Sequence, residues 1–149
     1  MMPANEKEFV KDFVKRTLHN YESLKNGPYE VTLLINSCIG LLIVPKERSL
    51  IEESKISKVT AQKLKDCMEN NTYNEELTVT NLIRHIRNGI SHAKFEFIAE
   101  NPPQKGDFLQ IKSISIQDEN TNTHEKMTMI IPIDVLHSLC YEIAEAIAK

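Results

Sequence analysis

The stretch Asn81–Lys94 reads NLIRHIRNGISHAK and places two arginines and two histidines within nine residues. No acidic residue lies between Glu76 and Glu96, so the run is a local cationic patch in a chain of net charge −3. Its residue types suit phosphodiester chemistry that needs no metal. Cleaving RNA in this way requires a group that takes the proton of a 2′-hydroxyl or gives one to the departing 5′-oxygen, and histidine titrates in the right range. It also requires fixed positive charge beside a phosphorane-like transition state, which the planar guanidinium fork of arginine supplies. Arg87 and His92 are the principal candidates. Asn88 is placed to orient the phosphate or the histidine, and Ser91 to hydrogen-bond to either. Arg84 and His85, one turn earlier, are secondary candidates for substrate contact, although an ordinary exposed helical face accounts for both.

These residues must be positioned by a helix over Leu77–His92. Leu82, Ile83, Ile86 and Ile90 project to one side within an arc of about 100°, while Arg84, Arg87, Asn88 and Ser91 take the opposite side. Thr78 or Thr80 can cap its start. Five residues of ideal helix set Arg87 and His92 about 140° apart, too far to converge on one phosphate from a straight helix acting alone. Either the helix breaks near Gly89, or two copies of it meet across a two-fold axis and line one cleft together.

Around this helix the chain reads as mainly helical. Glu6–Lys25 carries Phe9, Val10, Phe13, Val14, Leu18, Tyr21 and Leu24 on one stripe and stops at Asn26-Gly27-Pro28. Pro28–Val44 is apolar on nearly every side and is the expected central buried helix, ended by Pro45; Gly40 within it marks a close backbone crossing. Lys46–Asn74 is polar, with a weak helical stripe over Ser57–Glu69 and loop elsewhere, including Asn70-Asn71-Thr72. Lys94–Ile133 changes character. Phe95 and Phe97 alternate with polar residues, a turn follows at Asn101–Asp107, and Phe108–Ile116 alternates with a slip of apolar parity between Ile111 and Ile114 that signals a bulge. A second turn covers Asp118–Thr123, and Met127, Met129, Ile131 and Ile133 then alternate cleanly. These strands make a small antiparallel meander inserted before a last helix that opens at Pro132 and Asp134. The expected fold is mainly α (α+β), a helical bundle in a single domain over residues 1–149.

Composition narrows the function. With 41% hydrophobic and 26% charged residues the chain suits an ordinary globular protein. At a pI near 6.0 the surface as a whole does not attract nucleic acid, so any polyanion site is local. Cys38, Cys67 and Cys140 are odd in number and far apart, which favours buried free thiols of a reducing compartment over a disulfide framework. The histidines have no paired ligand spacing, so neither metal nor cofactor is expected. The polar start MMPANEKEF is unlike a signal peptide, and Val31–Val44 is too short for a membrane span, so a cytoplasmic location is expected. Phosphate-loop, dinucleotide, serine-elbow and metal-helix motifs are absent.

The hexapeptide Arg87-Asn88-Gly89-Ile90-Ser91-His92 resembles the RNxxxH signature of the HEPN superfamily (higher eukaryotes and prokaryotes nucleotide-binding domains). The outline of long helices over Glu6–Val44, Leu77–Lys94 and Pro132–Lys149 is similar to a HEPN bundle as well, whereas the strands depart from a minimal all-helical one. The resemblance implies a metal-independent endoribonuclease of the toxin or phage-defence kind. Such an enzyme cuts RNA by 2′-hydroxyl transesterification at a composite site in a homodimer, with a protein antitoxin as a candidate partner. Arg87, Asn88 and His92 would be its catalytic residues. The alternative is a non-catalytic HEPN-like module that binds a nucleotide, RNA or protein through the same surface, and a purely structural dimerising domain is a third reading.

Overall fold

Helix α1 spans Ala4–Leu24 and helix α2 Glu30–Cys38 in a computed structural model that describes residues 4–26, 30–38, 41, 55–99 and 111–148. Helix α3 (Lys58–Asp66), strand β1 (Met68–Asn71), helix α4 (Val79–Ser91), strands β2 (Phe95–Ala99), β3 (Ile111–Glu119) and β4 (Lys126–Pro132), and helix α5 (Ile133–Ala148) follow. The fold is mixed α+β. It divides into two compact units, Met1–Ser57 with His137–Lys149, and Lys58–Leu136. No helix among the described residues is long and apolar enough to cross a membrane.

In the first unit α1 buries Val10, Val14 and Tyr21, but the ends of its expected stripe, Phe9 and Leu24, stay exposed. Tyr21 meets the rings of His137 and Tyr141, and the Tyr141 hydroxyl donates to Glu22. Of the expected helix Pro28–Val44, Glu30–Cys38 is helical; most of the remainder, Gly40 included, lies outside the described residues, as does the turn at Asn101–Asp107. All three cysteines are buried and unbridged. Cys38 and Cys140 bring their sulfurs to 3.6 Å, and that hydrogen bond together with burial pushes the Cys38 thiol up.

The second unit is built on an antiparallel sheet of strand order β1-β4-β3-β2. The meander β2-β3-β4 matches the alternating segments of the sequence. Opposite Ile98 and Ala99 the β3 partners step from Ser113 to Ile111, so Lys112 is the extra residue of a bulge, where the apolar parity slips. Strand β1 was not expected. The helix read over Ser57–Glu69 ends at Asp66, and Met68–Asn71 pairs with Met127–Met129 of β4. Glu69, Asn70 and Asn71 are poor strand formers; an edge position beside a fully formed β4 outweighs their propensity. Asp118, expected in a turn, is a strand residue opposite Met127, and the turn proper is confined to residues 120–125.

Helix α4 lies on β3. Leu82, Ile83 and Ile86 are fully buried, and Ile90 nearly so, where the helix lies on β3, whose Ile114 and Ile116 are buried as well. Thr78 is the N-cap, its hydroxyl oxygen accepting the Asn81 N–H at 3.1 Å. The helix does not break at Gly89. A Cβ there would overlap the Ile116 side chain and come within 3.1 Å of the Gln117 carbonyl oxygen, so glycine is required by the close approach of helix and strand. At the other end the Ala93 N–H donates to Ile90 at 3.2 Å and the Lys94 N–H to Gly89 at 2.8 Å, a Schellman ending around His92.

That ending puts Ala93 at φ 56°, where glycine is the usual occupant. The left-handed conformation costs an L-residue about 1–2 kcal/mol. Glycine escapes this but loses roughly 0.5–1 kcal/mol of backbone entropy. Ala93→Gly is therefore expected to stabilise the protein by about 0.5–1 kcal/mol, measured by urea unfolding.

Candidate functional site

The site residues follow from how α4 is seated. Arg87 and Asn88 are half-buried on its flank, and Ser91 and His92 are exposed at its C-terminal end. His92 is the C-cap; its N–H donates to the Asn88 carbonyl at 2.9 Å, while its ring is left to solvent. The sequence expectation of an exposed polar face holds for Ser91. It does not hold for His85, which is only 1% exposed. Gly89 lets β3 approach so closely that the buried arc extends past the isoleucines to the flank where His85 lies, one turn before Gly89.

His85 is held from both sides. Its Nδ1 is 2.6 Å from Asp118 Oδ2, and its Nε2 is 2.5 Å from Glu75 Oε1. Each ring nitrogen therefore meets a carboxylate oxygen, and Arg84 Nη2 also lies 3.3 Å from Nε2. Tyr73 packs its ring on the imidazole with centroids 4.4 Å apart. The Arg84 guanidinium donates to the second oxygen of Glu75. Asn88 Nδ2 donates to the same Asp118 oxygen at 3.0 Å. The cluster thus ties the loop before α4, α4 itself and β3 into one polar network at the edge of the apolar core. Its two carboxylates are met by the Arg84 guanidinium and by the two ring nitrogens of His85.

The network moves its acids. Burial pushes the Glu75 carboxyl up, but hydrogen bonds from Arg84 and His85, with their charges, outweigh this and hold it below the usual carboxylate range. Burial, then the Asp118 charge and a hydrogen bond to it, pushes the Tyr73 phenol up to about 12. Its contribution to stability is complete below the ordinary phenol value near 10 and lost as pH rises through about 12. Absorbance titration should show a late-ionising tyrosine that disappears in Tyr73→Phe.

Among the described residues no cluster of three or more His, Cys, Asp or Glu side chains is arranged to hold a metal ion. Beside the end of α4 a half-open cleft of about 320 Å³ is lined by Ala93, Lys94, Phe95, Glu96, Ser115 and Gln117. The exposed His92 ring is the residue next in sequence to this cleft. Sequence reading missed Tyr73, Glu75 and Asp118. A signal existed for Asp118, an acid in phase with Ile114 and Ile116 on the apolar side of its strand. None existed for Glu75, one of two adjacent carboxylates in a polar loop.

The family model described as HEPN pEK499 p136 matches residues 1–149. The chain belongs to this HEPN family. No curated protein and no solved structure matches it. Within this HEPN chain the RNxxxH hexapeptide is the C-terminal half of α4, unbroken through Ser91 and capped by His92. Its arginine and histidine are the first and last residues of that half, about 140° apart around one helix axis.

Proposed function

We propose that this HEPN chain is a metal-independent endoribonuclease that acts as a homodimer. The observation that carries the reading is the position of His92, solvent-exposed at the end of an unbroken helix, beside a cleft and on the same helix as Arg87. In the reaction the ribose 2′-oxygen attacks the adjacent phosphorus. The bond from phosphorus to the 5′-oxygen breaks, leaving a 2′,3′-cyclic phosphate and a 5′-hydroxyl. His92 moves the proton, from the 2′-hydroxyl or to the leaving 5′-oxygen, and Arg87 carries the charge of the transition state. An unbroken helix separates the two residues around its axis, so the arrangement favours a composite site in which two copies face each other across a two-fold. A toxin or phage-defence role would suit such an enzyme.

The same angular separation gives the second reading its support. A module that only binds RNA, a nucleotide or a protein does not require Arg87 and His92 to converge on one phosphate.

Incubating mixed-sequence RNA with the protein in excess EDTA tests the first reading. Products ending in 2′,3′-cyclic phosphate are expected from wild type and not from folded His92→Ala. Cleavage that survives unchanged in that variant would sink the assignment, and RNA binding without turnover would favour the second reading.

A further inference from the structure

Asn88 has a side chain that can face a ligand in two ways, with its amide hydrogens or with its carbonyl oxygen. Asp118 removes the choice. Its carboxylate, 7% exposed, accepts from His85 Nδ1 and from Asn88 Nδ2 through one oxygen. Turning the carboxamide over would set a carbonyl oxygen against that carboxylate, acceptor against acceptor. The amide nitrogen is therefore held inward, and Oδ1 is left on the other side of the group. Among the described residues no donor holds that oxygen.

The position of Asn88 gives that oxygen a context. Asn88 and His92 are four residues apart on one continuous helix, so their side chains are neighbours on one face, with Cβ atoms about 5–6 Å apart. A group bound to Asn88 Oδ1 lies within reach of the His92 ring. It must be a donor, which a phosphate diester is not. The donor that RNA carries and DNA lacks is the ribose 2′-hydroxyl.

We propose that Asp118 is a positioning residue that fixes Asn88 amide-inward, so that Asn88 Oδ1 accepts a hydrogen bond from the 2′-hydroxyl of RNA bound beside His92. This deepens the ribonuclease reading and rests on it for the nature of the ligand. It assigns Asn88 to the sugar and leaves the phosphate to Arg87. Asp118 never touches the substrate and acts by setting which end of the carboxamide is presented.

The test is equilibrium binding of a fluorescent single-stranded RNA and the DNA of equivalent sequence, both in EDTA. All proteins carry His92→Ala so that the RNA stays intact. Adding Asn88→Ala or Asp118→Asn is expected to weaken RNA binding about tenfold, the loss of one hydrogen bond, and to leave DNA binding unchanged. The exchanged pair, Asn88→Asp with Asp118→Asn, keeps an amide facing a carboxylate and an oxygen facing out, so it is expected to restore the RNA-to-DNA ratio of affinities. Asn88→Ala leaves Asp118 and His85 paired, and supplies the result should Asp118→Asn fail to fold. Equal losses for RNA and DNA, or no loss for either, would overturn the inference alone. Failure of the parent protein to bind either nucleic acid would overturn the RNA reading and this inference with it.

Discussion

Arg87→Ala and His92→Ala, each inactive alone, are expected to regain activity when mixed. Removing a general acid or base typically costs about a hundred- to ten-thousand-fold in rate, and removing a charge-stabilising donor about a hundred- to a thousand-fold. His92→Ala should leave the melting temperature almost unchanged. His92 is exposed and contributes its backbone to the helix cap, which alanine preserves. If each site takes its arginine from one copy and its histidine from the other, a mixed dimer holds one intact site and one doubly altered site. Random exchange of subunits in an equal mixture then restores about a quarter of the wild-type sites. Mixing without recovery, in a preparation shown by mass spectrometry to contain mixed dimers, would mean that each site draws both residues from one chain or all four from both.

His85→Ala is expected to lower the free energy of unfolding by about 3–5 kcal/mol, the usual consequence of removing one partner from a buried charged cluster. Asp118, almost fully buried, would keep Asn88 but lose its strongest donor. Urea unfolding at neutral pH measures the loss, and a change below about 1 kcal/mol would show that the network does not work as a charged unit. Glu75 has a separate pH signature. Its carboxyl is held low, so its contribution is complete above the ordinary carboxylate value and disappears as pH falls through the depressed folded value. Glu75→Gln should therefore flatten the acid side of the stability profile and leave its shape at alkaline pH unchanged.

Much of α4 was legible because its signals are local. The spacing of Leu82, Ile83, Ile86 and Ile90 marks a buried face, and Thr78 caps it within hydrogen-bond reach of Asn81. The bulge at Lys112 was legible for a similar reason, since an extra residue in a strand shifts every later apolar residue by one. What was not legible depends on long-range pairing. Strand β1 exists because β4 offers it a ladder, and the backbone of Thr72 and Lys126 continues that pairing. His85 and Asp118 are 33 positions apart, and neither looks like core by composition. They meet because Gly89, a residue with no side chain to place, allows helix and strand to approach.

That approach has a mechanical consequence. Along β3, Ile116 and Asp118 are one strand repeat apart, about 6.7 Å; along α4, Gly89 and His85 are about one turn apart, roughly 6 Å. The two contacts therefore act like a key and a pin in matching slots. The close approach at Gly89 stops the helix from rolling or rising, and the bond from His85 to Asp118 stops it from sliding along the strand. Arg87, Asn88 and His92 are carried by a part that is already locked. If RNA binds here as proposed, the adjustment that brings the strand into register comes from the flexible nucleic acid or from the docking of a second copy.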